Sequence, residues 1–200
     1  MPYSHKMQKS HLYSVFYAPR GRQRIYELGI QLSQLYLSPF DHIIGIVGEP
    51  GSGKSMLIKG MFPGLELTND DNGVNIRPLP LLEQDQENLF FVPHTYHVDI
   101  RFETGFTQMQ TLADAIMEAV RRDKRVIVEH FDLVYPFLPR NADLLLGIGE
   151  EVIITRPGLF GPDPRDLYEK VSKSLAMRLM AHTAEDLCEK FMPPEELARC

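Results

Sequence analysis

Cysteine, net positive charge and long apolar runs are all scarce in this chain, and each shortage excludes something. Two cysteines in 200 residues, Cys188 and Cys200, cannot form a disulfide framework, so a reducing, cytoplasmic setting is expected. No apolar stretch approaches the roughly 18 residues a membrane helix needs. The opening MPYSHKMQKS also lacks the apolar core of a signal peptide, so no membrane association is expected. Lys and Arg number 21 against 27 Asp and Glu, a formal net charge of −6, which argues against broad nucleic-acid binding through a basic face. A local basic patch remains compatible with that balance. Repeats and low-complexity tracts are absent. What is left suits one globular domain with a full core and room for a small appendage.

Against this plain background one stretch stands out: GEPGSGKS, Gly48 to Ser55, which fits G-x-x-x-x-G-K-[ST]. It follows Ile43-Ile44-Gly45-Ile46-Val47, which reads as a buried strand, and leads into Met56 to Met61, which reads as the first turns of a helix. Strand, glycine-rich turn and helix is the setting a phosphate-binding loop requires. Gly48, Gly51 and Gly53 let successive backbone N–H groups close on an anion, and the helix start aims further amides at it. Lys54 is expected to reach the outer phosphates and Ser55 to ligate Mg²⁺. The expected nucleotide-binding set is therefore Gly48, Glu49, Pro50, Gly51, Ser52, Gly53, Lys54, Ser55 and Met56.

Taken in order, residues 12–18 predict a short strand stopped by Pro19. Ile25, Leu28, Leu32 and Leu35 predict one face of a helix from Arg22 to Leu37. Residues 64–93 are long and polar, and two readings stand side by side: a switch segment ordered by nucleotide and metal, or a surface insertion with a short strand at 74–79. Strands are predicted at Thr95 to Ile100, Arg125 to Glu129, Leu144 to Gly147 and Glu151 to Thr155, with a helix from Met109 to Arg122 and a turn at Gly147-x-Gly149. Pro157 to Pro164 reads as a linker, and Pro164 to Phe191 as helical. The alternation predicts an α/β, three-layer P-loop NTPase sandwich with a mostly parallel sheet: a nucleotide-binding domain at 1–160 and a helical C-terminal extension at 161–200.

Ligands of such sheets bind beyond the carboxyl ends of the strands, which draws in Asp99 and Glu129. Nucleotide hydrolysis needs an acid there, so Glu129 is expected to place the attacking water or hold the metal, and Asp99 to be a metal ligand. The plainer role for either is a cap or solvent-facing residue at a strand end. His97 and His130 flank these acids and read more simply as buried or capping histidines than as catalytic ones. Arg77, Arg101 and Arg156 could approach a phosphate or a partner, but isolated arginines usually lie on the surface and none joins the site.

The ordered set resembles a known family. Tyr26-Glu27-Leu28-Gly29, GEPGSGKSMLIKGMF, YHVDIRFE (Tyr96 to Glu103) and RVIVEHFDLVYPFLP (Arg125 to Pro139) look like the small P-loop ATPase of the tRNA threonylcarbamoyladenosine pathway, the TsaE type. The resemblance spans about residues 24–155 and implies nucleotide and metal roles for Lys54, Ser55, Asp99 and Glu129. It also implies ATP rather than GTP, and no Asn-Lys-x-Asp guanine signature is present. Two departures matter. The family's tryptophan is His130 here, in a chain without tryptophan, and its threonine-bearing switch has no clean counterpart beyond Thr68. A second stretch, Met180 to Leu187, looks like the opening of the alanyl-tRNA synthetase editing domain, whose His-x-x-x-His zinc pair is here His182 and Asp186. Two ligands cannot make a stable zinc site, so an ordinary amphipathic helix is expected.

The expected function is an ATP-binding protein with slow Mg²⁺-dependent ATP hydrolysis, acting through a protein partner in tRNA-related metabolism. Two alternatives stand beside it: a small-molecule or nucleotide kinase, and a nucleotide-responsive binding module without significant hydrolysis. The second draws on the lack of an evident arginine finger.

Overall fold

The computed structural model describes residues 13–65, 67, 95–158 and 161–172. Its strands are β1 (Tyr13–Tyr17), β2 (Ile43–Val47), β3 (Thr95–Asp99), β4 (Arg125–Glu129), β5 (Leu144–Ile148) and β6 (Glu151–Thr155). They form one sheet in the order β1-β6-β5-β2-β4-β3. The pairs β5–β2, β2–β4 and β4–β3 are parallel, and β6 and β1 extend the β5 edge antiparallel. The predicted α/β class and mostly parallel sheet are what the chain adopts.

Parallel strands are covered on both faces, so they read as unbroken apolar runs rather than alternating ones. β2 is buried along its whole length. Its Ile44 and Ile46 belong to a core layer with Leu28, Leu32, Leu57 and Ile58, from α1 (Arg22–Tyr36) and α2 (Lys54–Met61). Its Ile43 and Val47 face the opposite layer, with Leu112 and Ile116 of α4 (Met109–Arg121) and Phe131 and Val134 of α5 (Phe131–Val134). A short α3 (Ile100–Glu103) links β3 to α4. Residues 164–172 form α6, whose Leu167 and Val171 join the same layer as α4 and α5.

The α1–α2 contact brings two backbones together. A Cβ on Gly29 would stand 2.4 Å from the Leu57 carbonyl, and one on Gly60 would stand 2.0 Å from that of Tyr26. The Leu-Gly pair of α1 thus seats that helix against the one following the glycine-rich turn. At the opposite end of the sheet from that turn, the half-buried Arg156 bonds both oxygens of the buried Asp41 and the carbonyl of Tyr36. Arg125 donates to the carbonyls of Asp41 and Ser38 at 2.8 Å each.

Several expectations shift. Leu35, placed on the apolar face of α1, is 65% exposed, because the side of that helix packed on the core layer is made by Ile25, Leu28, Leu32 and Tyr36 and Leu35 falls outside it. Ile100 opens α3 instead of ending β3, because the Asp99 carboxylate accepts from the Arg101 and Phe102 amides and starts the helix there. Gly147 lies within β5, and the turn to β6 is made at residues 149–150. Arg156 is neither a surface residue nor near the glycine-rich turn. The segment at 68–94, with the switch and 74–79 strand readings, Thr68 and Arg77, lies outside the described residues. So do residues 1–12 and 173–200, which include His182 and Asp186. Among the described residues no helix is long and apolar enough to cross a membrane.

Candidate functional site

Adjacent strands β2 and β4 send their following connections to opposite faces, toward α2 and α5, and open a crevice beyond their carboxyl ends. The loop 48–53 borders this crevice. Gly48, Gly51 and Gly53 all take positive φ, at 152°, 79° and 99°. Gly48 also has no room for a side chain, since a Cβ there would meet the Ile148 carbonyl at 2.2 Å. The Ser52 amide donates to the Glu49 carbonyl at 3.2 Å, and the buried Ser52 hydroxyl has no hydrogen-bond partner. Lys54 is buried at the start of α2, and its ammonium donates to the carbonyls of Gly48 at 3.2 Å and Glu49 at 2.9 Å. Burial pulls the Lys54 ammonium below the usual lysine range, against the pull of Glu129 and Asp99. Pro50 and Gly51 are exposed at the tip, and Ser55 and Met56 are half-buried.

Register brings the acids together. Asp99 and Glu129 are direct partners on the parallel strands β3 and β4, and His97 stands two residues before Asp99. Period-two alternation puts all three on one face of the sheet. The pairing of His97 with Ile127, a member of the α1–α2 core layer, identifies that face as the one toward α2. The Ser55 hydroxyl accordingly donates to Glu129 Oε1 at 3.3 Å, and His97 Nε2 meets the same oxygen at 3.1 Å. Burial acts to raise the Glu129 carboxyl, but the His97 hydrogen bond and the charges of His97 and Lys54 outweigh it and hold it below the usual carboxylate range. The glycine-rich loop, Lys54, Ser55, Asp99 and Glu129 therefore share one crevice.

The structure adds residues the sequence reading left out. His130 follows Glu129 with a left-handed backbone, φ 57° and ψ 44°, at the turn into α5. It is buried, and its Nδ1 has no hydrogen-bond partner. Burial, reinforced by Lys54 and Arg101, pushes its imidazole down to about 4, so it is neutral at pH 7. Among the described residues, one ligand atom from each of Asp99, Glu129 and His130 lies within 4.8 Å of the others. Two further buried acids, Glu103 and Asp132, are held above the usual carboxylate range by burial first, and for Glu103 also by the charge of Asp99. Arg101 is exposed, yet its charge acts on Lys54, His130 and Asp132. Glu49 is tied away from the loop: Tyr168 of α6 donates to its Oε1 at 2.6 Å, and this bond lowers the Glu49 carboxyl.

One signal for His130 was present in the sequence, a histidine directly after the acid that ends an apolar run. Its direction depends on the left-handed turn, which periodicity does not report. Tyr168 carried no signal at all, because its partner lies 119 positions away. No family model and no curated protein compared with the chain matches it.

Proposed function

We propose that the chain is an ATP-binding protein with slow Mg²⁺-dependent ATP hydrolysis, working with a protein partner in tRNA-related metabolism. The observation that carries the nucleotide reading is the meeting of two separate chain segments. The 48–55 loop with Lys54 and Ser55 arrives from β2, and Glu129 arrives from β4, with the two hydrogen-bonded through Ser55 at 3.3 Å. The tRNA part of the reading, and ATP rather than GTP, rest on the motif resemblance.

The residues fit a nucleotide and its metal. Side chains are kept out of the loop at Gly48, whose site admits no Cβ, and the orphaned Ser52 hydroxyl is a buried polar atom that a bound oxyanion would satisfy. The Lys54 ammonium lies on loop carbonyls within reach of the loop's interior, where a polyphosphate would offer it stronger, charged acceptors. Ser55, Asp99 and Glu129 would hold Mg²⁺, which supplies charge neutralisation for a leaving phosphate. Glu129 stays ionised despite burial, so it can accept a hydrogen bond from a water and orient it. His97 fixes the Glu129 carboxylate in place through their hydrogen bond.

The test is a calorimetric titration of ATP and Mg²⁺ into the wild-type chain and Lys54→Ala, with circular dichroism on both. We expect the variant to keep its fold and lose ATP affinity by about 100-fold or more, as removal of a buried charge-assisted phosphate contact implies. Equal affinity in a folded variant would sink the nucleotide reading.

A further inference from the structure

We propose that the crevice takes a first-row transition-metal cation, of the class of Mn²⁺ or Co²⁺, held by a His130 nitrogen and carboxylate oxygens of Asp99 and Glu129. The inference deepens the reading of this crevice as a cation site and rests on that part of it, but it needs no nucleotide. Two observations carry it. One ligand atom from each of the three residues lies within 4.8 Å of the others, close enough for a single ion to reach all three. Independently, His130 is only 5% exposed, and its Nδ1 is buried with no hydrogen-bond partner.

A buried polar atom left unpaired costs roughly 1–3 kcal/mol, so native structures rarely keep one without a reason such as an ion. The surroundings also favour a cation. Asp99, Glu103, Glu129 and Asp132 crowd this end of the sheet; Lys54 acts on Asp99, Glu129 and Asp132, Arg101 on Asp132, and His97 on Glu103 and Glu129. Donor chemistry then selects the ion. Mg²⁺ prefers an all-oxygen shell and keeps several waters, whereas an imidazole nitrogen strengthens binding along the series from Mn²⁺ through Co²⁺. An Asp-Glu-His set thus differs from the Ser-Asp-Glu oxygen set, and the difference is His130.

The experiment is a Co²⁺ titration of the metal-free full-length chain without nucleotide, followed by visible absorption, with Mg²⁺ as competitor. We expect wild type to hold Co²⁺ about 100-fold more tightly than Mg²⁺. His130→Asn keeps a residue that accepts a left-handed backbone and replaces the nitrogen ligand by an amide. It should lose Co²⁺ affinity by about tenfold or more, with Mg²⁺ affinity changed by less than about threefold. Any Co²⁺ bound by other histidines or cysteines would persist in this variant and cancel in the difference. Unchanged Co²⁺ affinity in His130→Asn, or no preference over Mg²⁺ in wild type, overturns the proposal. A readout that needs no variant is the proton spectrum of the Co²⁺ protein, where a coordinated imidazole gives a strongly shifted, exchangeable N–H signal and its absence counts against us. A parallel titration with a fluorescent ATP analogue separates the two readings. Co²⁺ held through His130 without ATP binding would leave this proposal standing and sink the nucleotide one, and ATP binding with no Co²⁺ preference would do the reverse.

Discussion

His130 is neutral among charged neighbours, and that has a consequence for stability. In the unfolded chain a histidine titrates near 6.5, and in the fold this one is pushed down to about 4 by burial, Lys54 and Arg101, against the opposing pull of Asp99 and Glu129. Between those values the unfolded state binds more protons, so stability rises with pH there and is lost as pH falls from about 6.5 to about 4. Below the lower value both states are protonated and His130 adds no further loss. The expected size is on the order of 2–3 kcal/mol across that window. Urea unfolding of wild type and His130→Asn at pH 7, 5.5 and 4 checks it. The wild type should weaken more steeply, and parallel profiles would show that His130 is not buried in its neutral form.

At the scale of elements, the junction of α1 and α2 governs how the glycine-rich loop is presented. The two helices touch backbone to backbone at Gly29 and Gly60, and α2 begins at Lys54. Gly60→Ala would place a methyl 2.0 Å from the Tyr26 carbonyl, which is backbone and cannot rotate aside. Alanine is the better helix former, so propensity alone predicts a gain of up to about 1 kcal/mol. The clash decides the sign. We expect a net loss of about 2–3 kcal/mol in urea unfolding, the range for overpacked sites. A stabilised variant would mean that the helices sit further apart. The helices were legible from spacing and the glycines from the motif, but the contact between Gly29 and Gly60 was not, because 31 positions of chain separate them and no local pattern encodes it.

For the whole molecule, the telling element is α6. The proline- and glycine-rich stretch around residues 157–164 reads as a linker, yet Leu167 and Val171 beyond it lie in one core layer with Phe131 and Leu145. Gly147 and Gly149 make the space, since a Cβ on either would meet Leu167 or Val171 at about 3 Å or less. Tyr168 then ties this helix to Glu49 in the glycine-rich loop. Leu167→Ala should therefore cost about 2–4 kcal/mol, as for a buried leucine. The loss should appear in one transition, followed together by circular dichroism and by tyrosine fluorescence. Two separated transitions would show that 164–172 unfolds apart from the sheet.

The residues by themselves determined the α/β class, all six described strands to within a residue at each end, and the loop with its lysine and serine, since these depend on short-range periodicity and on glycine's freedom at positive φ. They also singled out Asp99 and Glu129, because an acid closing an apolar run marks a strand's carboxyl end. Tertiary structure alone decided that these two acids are register partners, that Ser55 and His97 share one oxygen of Glu129, and that Arg156 clasps Asp41 at the far end of the sheet. It also brought His130, through a left-handed turn, within reach of Asp99 and Glu129. Each of those depends on strand order and helix approach, which arise from burial across the whole sheet and leave no trace in neighbouring residues.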